Sequence, residues 1–174
     1  MNRRTCIQAL GLAGLPLAPI LRGSRREPLF PAGATGSITH TGGYCAAVAA
    51  SRDAVASIGI DAEANEPMTR RLLERIASAD ECRMVDEASA ALPGLHAARL
   101  LFSIKEAVYK AWYPLARVPL GFRDAELRLD VGAGLCTVRL RHEPVPASWR
   151  DIVCRWAWDD ERVYALVACL EACH

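Results

Sequence analysis

The segment 101–112 constrains the fold of this chain most, because its apolar residues recur every three or four positions. At about 100° per residue, that spacing forms one apolar stripe along an α-helix. The stripe consists of Leu101, Ile104, Val108 and Ala111. Glu106 and Lys110 project from nearly the opposite side, one turn apart. The pattern predicts a long helix, roughly His96 to Tyr113 and ended by Pro114, which is buried along one side and presents an acid and a base on the other.

Short apolar segments, separated by turn residues, precede this helix. Gly36 to His40 and Tyr44 to Ser51 predict two strands joined by a turn at 41–43. A third strand is predicted at Ser57 to Asp61. We interpret the three strands as a small meander.

Two further helices and a second group of strands complete the predicted elements. Met68 to Ala77 and Ala79 to Glu87 have helical spacing. After Phe122 the apolar residues alternate with charged ones, and Ile152 to Trp158 and Val163 to Leu170 predict a hairpin. The order of strands, helices and strands predicts an α+β chain.

The overall composition excludes several classes of protein. The chain has 174 residues, 52% of them hydrophobic, which is enough for a real core and excludes a disordered protein. Its formal net charge is +1, so no global field favours nucleic acid or an anionic membrane surface. We therefore expect no nucleic-acid and no membrane partner, and any bound anion must be held by a local cluster of charges.

Cysteine usage and the N-terminus favour different compartments. The seven cysteines form no Cys-x-x-Cys pair and have no histidine at metal-ligand spacing, which favours reduced core thiols and the cytoplasm. Arg3 and Arg4 before the apolar stretch 6–21 resemble a twin-arginine signal, although Pro16 and Pro19 interrupt that stretch. The alternative is that Thr5 to Leu12 is a folded helix.

Two acids at the end of the third predicted strand are candidate metal ligands. In a strand, Asp61 and Glu63 point to one face while the residues between and before them point to the other. Mg²⁺ prefers hard oxygen ligands and usually takes few protein carboxylates together with substrate phosphate oxygens. Glu106 is the candidate third ligand. The alternative is a strand end with ordinary surface acids.

Several basic residues are candidate phosphate partners. His40 lies in a polar turn with hydroxyl groups and free backbone N–H groups, and Arg25 and Arg26 precede a proline in a surface loop. Lys105 and Lys110 offer compact charges on flexible stems. The alternatives are a structural histidine, solvated loop charges and a surface Glu106–Lys110 pair one helical turn apart.

The order of these motifs is more specific than any one of them. Arg25-Arg26-Glu27-Pro28, Ser37-Ile38-Thr39-His40, Ile58-Gly59-Ile60-Asp61-Ala62-Glu63 and Phe102-Ser103-Ile104-Lys105-Glu106-Ala107-Val108-Tyr109-Lys110 follow one another along the chain. This order closely resembles the 4′-phosphopantetheinyl transferase superfamily, of the enterobactin synthase component D or Sfp-like type that serves nonribosomal peptide and polyketide systems. The resemblance implies a pseudo-dimer of two similar α+β subdomains with coenzyme A in the cleft between them.

The resemblance also implies a domain division and a reaction. Residues 1–65 would be the remainder of the N-terminal subdomain, on the coenzyme A and metal side, and residues 66–174 the C-terminal subdomain with the catalytic helix. The protein would be a Mg²⁺-dependent holo-[carrier-protein] synthase, which transfers the 4′-phosphopantetheine arm of coenzyme A to a serine of an apo carrier protein. Adenosine 3′,5′-bisphosphate would be released.

Site residues follow from the same resemblance. Asp61, Glu63 and Glu106 match the Mg²⁺-binding acids, Glu106 the acid that deprotonates the carrier serine, and Lys110 the lysine that contacts the phosphates. The coenzyme A contacts would be Arg25, Arg26, Thr39, His40, Lys105 and Lys110, with His40 at the 3′-phosphate.

The resemblance also implies further strands and helices before the position that matches Met1, as in members of this type. The resemblance therefore implies that part of the first subdomain is absent, either because the start codon was assigned too late in a longer protein or because the product is truncated. The alternative function is a truncated, non-catalytic nucleotide-binding remnant of such an enzyme.

Overall fold

The structure is a computed structural model that describes residues 3–24, 27–141, 144–145, 149 and 152–170. The helices are α1 (Arg3–Leu12), α2 (Arg70–Ile76), α3 (Ala79–Ala91) and α4 (Ala97–Ala116), with a 3-10 turn at Phe122–Asp124. The strands are β1 (Leu21–Arg22), β2 (Pro28–Leu29), β3 (Ala34–Thr41), β4 (Tyr44–Ser51), β5 (Val55–Ala64), β6 (Ala125–Asp130), β7 (Leu135–Leu140), β8 (Ile152–Trp158) and β9 (Arg162–Leu170). The predicted α+β class is confirmed.

A five-stranded antiparallel sheet forms the centre of the fold, in the order β5-β9-β8-β7-β6. Helix α4 packs against β5 and β9, and its apolar stripe is fully buried there. The stripe comprises Leu101, Ile104, Val108 and Ala111, each 0% exposed. The sequence pattern therefore identified the helix that fills the core and the side that faces it.

Helix α4 is longer than predicted. Pro114 lies inside its last turn instead of ending it, and the helix continues to Ala116. A proline at this position removes only the N–H that would bond to the carbonyl of Lys110, so the helix continues with one bond fewer. It ends where Arg117 adopts the left-handed conformation (φ 57°) and donates its N–H to the carbonyl of Tyr113.

The predicted meander is wrong, although all three of its strands form. β3 and β4 make a hairpin in which Gly42 and Gly43, at φ 46° and 82°, provide the positive φ angles of a two-residue turn. β5 instead pairs with β9, at the edge of the five-stranded sheet. The hairpin contacts β5 through side chains, because the hydroxyls of Ser37 and Thr39 accept the N–H groups of β5.

Gly59 allows β5 to approach α4 unusually closely. An added Cβ would lie 2.7 Å from the backbone nitrogen of Ala111 and closer still to the carbonyl oxygen of Ala107. Ser57, two residues earlier, donates its hydroxyl to the carbonyl of Ala111 over 2.7 Å. The odd-numbered residues of β5 therefore face the helix, which brings the next one, Asp61, beside the polar side of α4.

The N-terminal part of the chain has its own small group of buried residues. It comprises Cys6, Leu10, Ile20, Ala34 and Ile38, contributed by α1, the following loop and β3. The helix at Thr5 to Leu12 is thus confirmed as part of the fold. Cysteines in the described residues are free, and no described helix is long and apolar enough to span a bilayer.

The two middle helices form close to their predicted positions. Ser78 caps α3 through a capping box in which its side chain accepts the N–H of Glu81 and the Glu81 side chain accepts the N–H of Ser78. Thr69 caps α2. Both helices begin at side-chain caps, α2 two residues after the predicted Met68 and α3 at the predicted Ala79. Helix α3 continues past the predicted Glu87 to Ala91.

Candidate functional site

A cleft of about 460 Å³ opens between the polar side of α4 and the chain segments that precede β5. Glu106 and Lys110 line it from the helix, and His40 lines it from the end of β3. Arg22 and Glu27, from the segment that contains β1 and β2, line the opposite wall. The cleft thus contains two acids, a histidine and two cations from separate parts of the sequence.

Asp61 lies at the centre of the polar contacts beneath this cleft. Its Oδ1 accepts hydrogen bonds from Lys110 Nζ over 2.7 Å and from Thr39 Oγ1 over 3.1 Å. The residue is only 6% exposed. Its Oδ2 is buried and has no hydrogen-bond partner in the described structure. One oxygen of this carboxylate is therefore fully occupied while the other lacks a donor.

Glu63 and Glu106 lie close enough to Asp61 to interact electrostatically with it. Burial raises the pKa of Glu106, and the charge of Asp61 raises that pKa further, whereas Lys110 lowers it. Burial and the charge of Asp61 also raise the pKa of Glu63, while Arg99, 3.9 Å from its carboxylate, lowers it. Burial, and then repulsion from Asp61, thus disfavours the ionised forms of Glu63 and Glu106, and a bound cation would relieve this repulsion.

The donor set fits a hard cation such as Mg²⁺ in chemical type. The buried, unpartnered Oδ2 of Asp61 is an oxygen acceptor of the kind that such an ion requires. Glu63 and Glu106 supply the nearby carboxylates. Across the described ranges, however, no three His, Cys, Asp or Glu side chains are already arranged as a metal site.

The structure places the two lysines of the segment 101–112 in different environments. Lys110 is 28% exposed at its side chain and lines the cleft. Lys105 is buried, and its Nζ donates to Glu81, to the carbonyl of Phe122 and to the carbonyl of Ala125. Its three N–H donors are thus used inside the fold, which does not support the predicted contact of Lys105 with coenzyme A.

The other residues that were predicted to contact coenzyme A do not share one environment. His40 is exposed and lies in the cleft. The hydroxyl of Thr39 is buried and engaged with Asp61 and with the N–H of Ala62, so it faces the acid and not the cleft. Arg25 and Arg26 lie outside the described residues.

Sequence reasoning missed several side chains on the polar side of α4. Tyr109 and Tyr113, whose rings stack 5.9 Å apart, line the cleft beside Glu106. Arg99 forms the ion pair with Glu63. Tyr109 and Tyr113 lie three and seven residues after Glu106, and Arg99 lies seven residues before it. These separations place the residues on the same side of a helix, so helical spacing from Glu106 was the signal that would have found them.

Comparison with known families identifies the arrangement. A sequence model described as "4'-phosphopantetheinyl transferase superfamily" matches residues 57–167, from β5 to β9. The chain belongs to the 4′-phosphopantetheinyl transferase superfamily. A second model, "4'-phosphopantetheinyl transferase N-terminal domain", matches residues 2–50. The two matches include both walls of the cleft.

Curated relatives agree with this membership. The chain is 44% identical over 138 residues to the 4′-phosphopantetheinyl transferase Svp of Streptomyces mobaraensis, covering 79% of this chain and 56% of the relative. It is 46% identical over 123 residues to the 4′-phosphopantetheinyl transferase PptT of Mycobacterium tuberculosis, covering 70% and 53%. Enterobactin synthase component D of Salmonella typhimurium is 31% identical over 171 residues, covering 97% and 70%. The chain spans about half the length of the first two of these relatives.

Proposed function

We propose that this chain transfers the 4′-phosphopantetheine arm of coenzyme A to a serine hydroxyl of an apo carrier protein. The observation that supports it most strongly is the Asp61–Lys110 pair, flanked by Glu106 and Glu63, beneath a cleft that His40 also lines. Cations and acids around one cleft suit a pyrophosphate with a bound metal ion better than they suit an uncharged substrate. Family membership, and the names of the relatives, support the same reaction.

Asp61, Glu63 and Glu106 would hold a Mg²⁺ ion, and the buried, unpartnered Oδ2 of Asp61 would be one of its ligands. When bound, the ion neutralises charge on the pyrophosphate and on the departing group. Burial is the main cause of the raised pKa values of both glutamates, and the charge of Asp61 adds a repulsion that the ion would remove.

The chain's own residues are proposed to handle the phosphates and the proton. The carrier serine oxygen forms a bond to the phosphorus that bears the pantetheine arm, and the bond from that phosphorus to the bridging oxygen breaks. Adenosine 3′,5′-bisphosphate leaves with that oxygen. Glu106 accepts the serine proton, directly or through water, because its carboxylate lines the cleft beside Lys110. Lys110 donates hydrogen bonds to the phosphates, and His40 binds the 3′-phosphate.

We propose that the carrier is an acyl, peptidyl or aryl carrier domain of a nonribosomal peptide, polyketide or fatty acid synthase. We also propose a cytoplasmic location, which the free thiols of the described cysteines support. The carrier that is modified in the test identifies the pathway, siderophore or other.

The test is to incubate the full chain with coenzyme A, Mg²⁺ and a panel of apo carrier proteins, and to weigh the carriers intact. The expected result is a carrier whose mass increases by one phosphopantetheine arm. Circular dichroism and a cooperative thermal transition first establish that the protein is folded. If folded protein modifies no carrier yet binds coenzyme A in calorimetry, the proposed reaction is wrong and the non-catalytic nucleotide-binding alternative is favoured.

A further inference from the structure

Two hydroxyl side chains join β3 to β5 where a backbone ladder is absent. Ser37 Oγ accepts the N–H of Ile60 over 3.1 Å, and Thr39 Oγ1 accepts the N–H of Ala62 over 3.1 Å. Both hydroxyl residues are 3% exposed. As links between the two strands they are equivalent in distance, burial and type of acceptor.

Only Thr39 makes a second bond, to the acid beneath the cleft. Its hydroxyl donates to Oδ1 of Asp61 over 3.1 Å. A hydroxyl has one proton, so accepting the N–H of Ala62 leaves that proton for the carboxylate. The backbone of β5 and the carboxylate of Asp61 thus fix the hydroxyl from two directions.

Of the two donors to this carboxylate, Thr39 is the more rigid. Lys110 reaches Oδ1 by a flexible four-carbon stem, and its side chain is partly exposed in the cleft. Thr39 is β-branched, buried and part of a strand, so its rotamer is restricted. Hence Lys110 is the donor that is free to rearrange toward a phosphate, and Thr39 is the donor that stays.

We propose that Thr39 is a positioning residue that orients the carboxylate of Asp61, keeping Oδ1 on the protein side so that Oδ2 remains available to a divalent cation. The proposal rests on the proposed function in one respect, the assignment of Asp61 as a metal ligand. It differs from the role expected from the family resemblance, in which Thr39 contacts coenzyme A.

Ser37 provides the matched control, because it makes the same link to β5 without touching Asp61. The first measurement is the affinity of the full-length protein for Mn²⁺, followed by electron paramagnetic resonance as a visible substitute for Mg²⁺. Thr39→Val is expected to weaken Mn²⁺ binding about tenfold, the range seen when a partner of a metal ligand is removed. Thr39→Ser and Ser37→Ala are expected to remain within about twofold of wild type, since neither removes a hydroxyl from Asp61.

The second measurement needs no metal and no turnover. The midpoint of urea unfolding is determined for Thr39→Val and Ser37→Ala, each with and without Asp61→Ala. The decrease in the urea midpoint caused by Thr39→Val is expected to be smaller by about half or more in the Asp61→Ala background, because the stability effects of interacting residues are not additive. The decrease in the urea midpoint caused by Ser37→Ala is expected to be the same with and without Asp61→Ala.

Three results overturn the proposal: additive losses for Thr39 and Asp61, equal weakening of Mn²⁺ binding by Ser37→Ala and Thr39→Val, or unchanged affinity in Thr39→Val. If the wild-type protein binds no Mn²⁺ while Thr39 and Asp61 remain coupled in unfolding, the metal assignment in the proposed function fails and the orientation of Asp61 by Thr39 stands. If coupling is also absent, both fail.

Discussion

The Lys110 ammonium lies 2.7 Å from Oδ1 of Asp61 and 3.0 Å from the carbonyl oxygen of Ile60, so a helix side chain is bonded to the strand that bears the acid. The chain contains one other lysine, Lys105, whose ammonium is enclosed in the core. The two lysines, five residues apart in one helix, thus differ in exposure, since the Lys110 side chain is 28% exposed and the Lys105 side chain is 1% exposed. The chemical reactivity of each ammonium can therefore be measured separately.

Amine labelling is expected to distinguish the two lysines. With an acetylating reagent at limiting concentration, Lys110 is expected to react well before Lys105, because the Lys105 side chain is only 1% exposed. Peptide mass spectrometry measures both sites in one digest. Coenzyme A with Mg²⁺ is expected to slow the labelling of Lys110 alone. Equal reactivity of the two sites in folded protein would show that the Lys105 environment is wrong.

Replacement of Lys110 is expected to affect the chemical step more than substrate binding. Lys110→Ala removes a phosphate donor and one of the two donors to Asp61. We expect kcat to fall at least about tenfold while KM for coenzyme A changes less, the pattern of an interaction strengthened in the transition state. Steady-state kinetics with a carrier found in the mass assay provides the measurement. A rise in KM at constant kcat contradicts the assigned role.

Asp61→Ala and Glu106→Ala are each expected to abolish transfer, because each removes a proposed metal ligand. The same variants are expected to lose the increase in thermal midpoint that Mg²⁺ gives the wild-type protein, since a ligand stabilises only a state that binds it. Excess EDTA should remove that increase from the wild type. Glu66→Ala is the control, since Glu66 is exposed just beyond β5. Full activity of Glu106→Ala would exclude Glu106 as ligand and base.

Gly59→Ala is expected to destabilise the fold by about 1–3 kcal/mol or more, because its methyl group would overlap the backbone of α4. Gly132→Ala is the matched control, since an added Cβ there would lie 3.6 Å from an Asp130 oxygen, an ordinary contact. Urea unfolding measures both variants, and the control should lie within about 0.5 kcal/mol of wild type. Equal stability of Gly59→Ala would mean that β5 and α4 are farther apart than described here.

The buried Glu81–Lys105 pair is expected to be structural. Glu81 accepts from Lys105, from the N–H of Leu127 and from the N–H of Ser78, so it connects α3, α4 and β6. Removing one member of a buried ion pair costs about 3–5 kcal/mol. Lys105→Met should therefore lower stability by about that amount in urea unfolding, whereas Arg83→Met, which breaks the exposed pair with Asp80, should cost under about 1 kcal/mol.

Sequence periodicity was sufficient for the parts of the fold in which local pattern and burial agree. The buried stripe of α4 and the hairpin of β8 and β9 both formed as predicted. Partner choice was not predictable in the same way. Whether β5 pairs with β3 or with β9 depends on long-range packing. The prediction that β5 pairs with the strands just before it in the sequence was wrong, because β5 pairs with β9.

The candidate site was predictable in residue type more than in contact. The acids and Lys110 were found from their spacing and order, and the structure brings them together. Lys105 and Thr39 were both predicted to contact coenzyme A, yet Lys105 is paired with Glu81 and Thr39 with Asp61. Adjacent residues of a helix or strand point in different directions, and only the packed structure shows which partner each direction meets.

β5 is bonded on both edges, by the ladder to β9 from Val55 to Ala64 and by the two hydroxyls of β3. Because side chains alternate along a strand, a shift of one residue would turn Asp61 to the opposite face of the sheet and put Ile60 or Ala62 in its place. Deleting or inserting a single residue in this strand is therefore a different kind of lesion from any substitution. It exchanges the acid for a hydrocarbon beneath the cleft while leaving the composition of the chain almost unchanged.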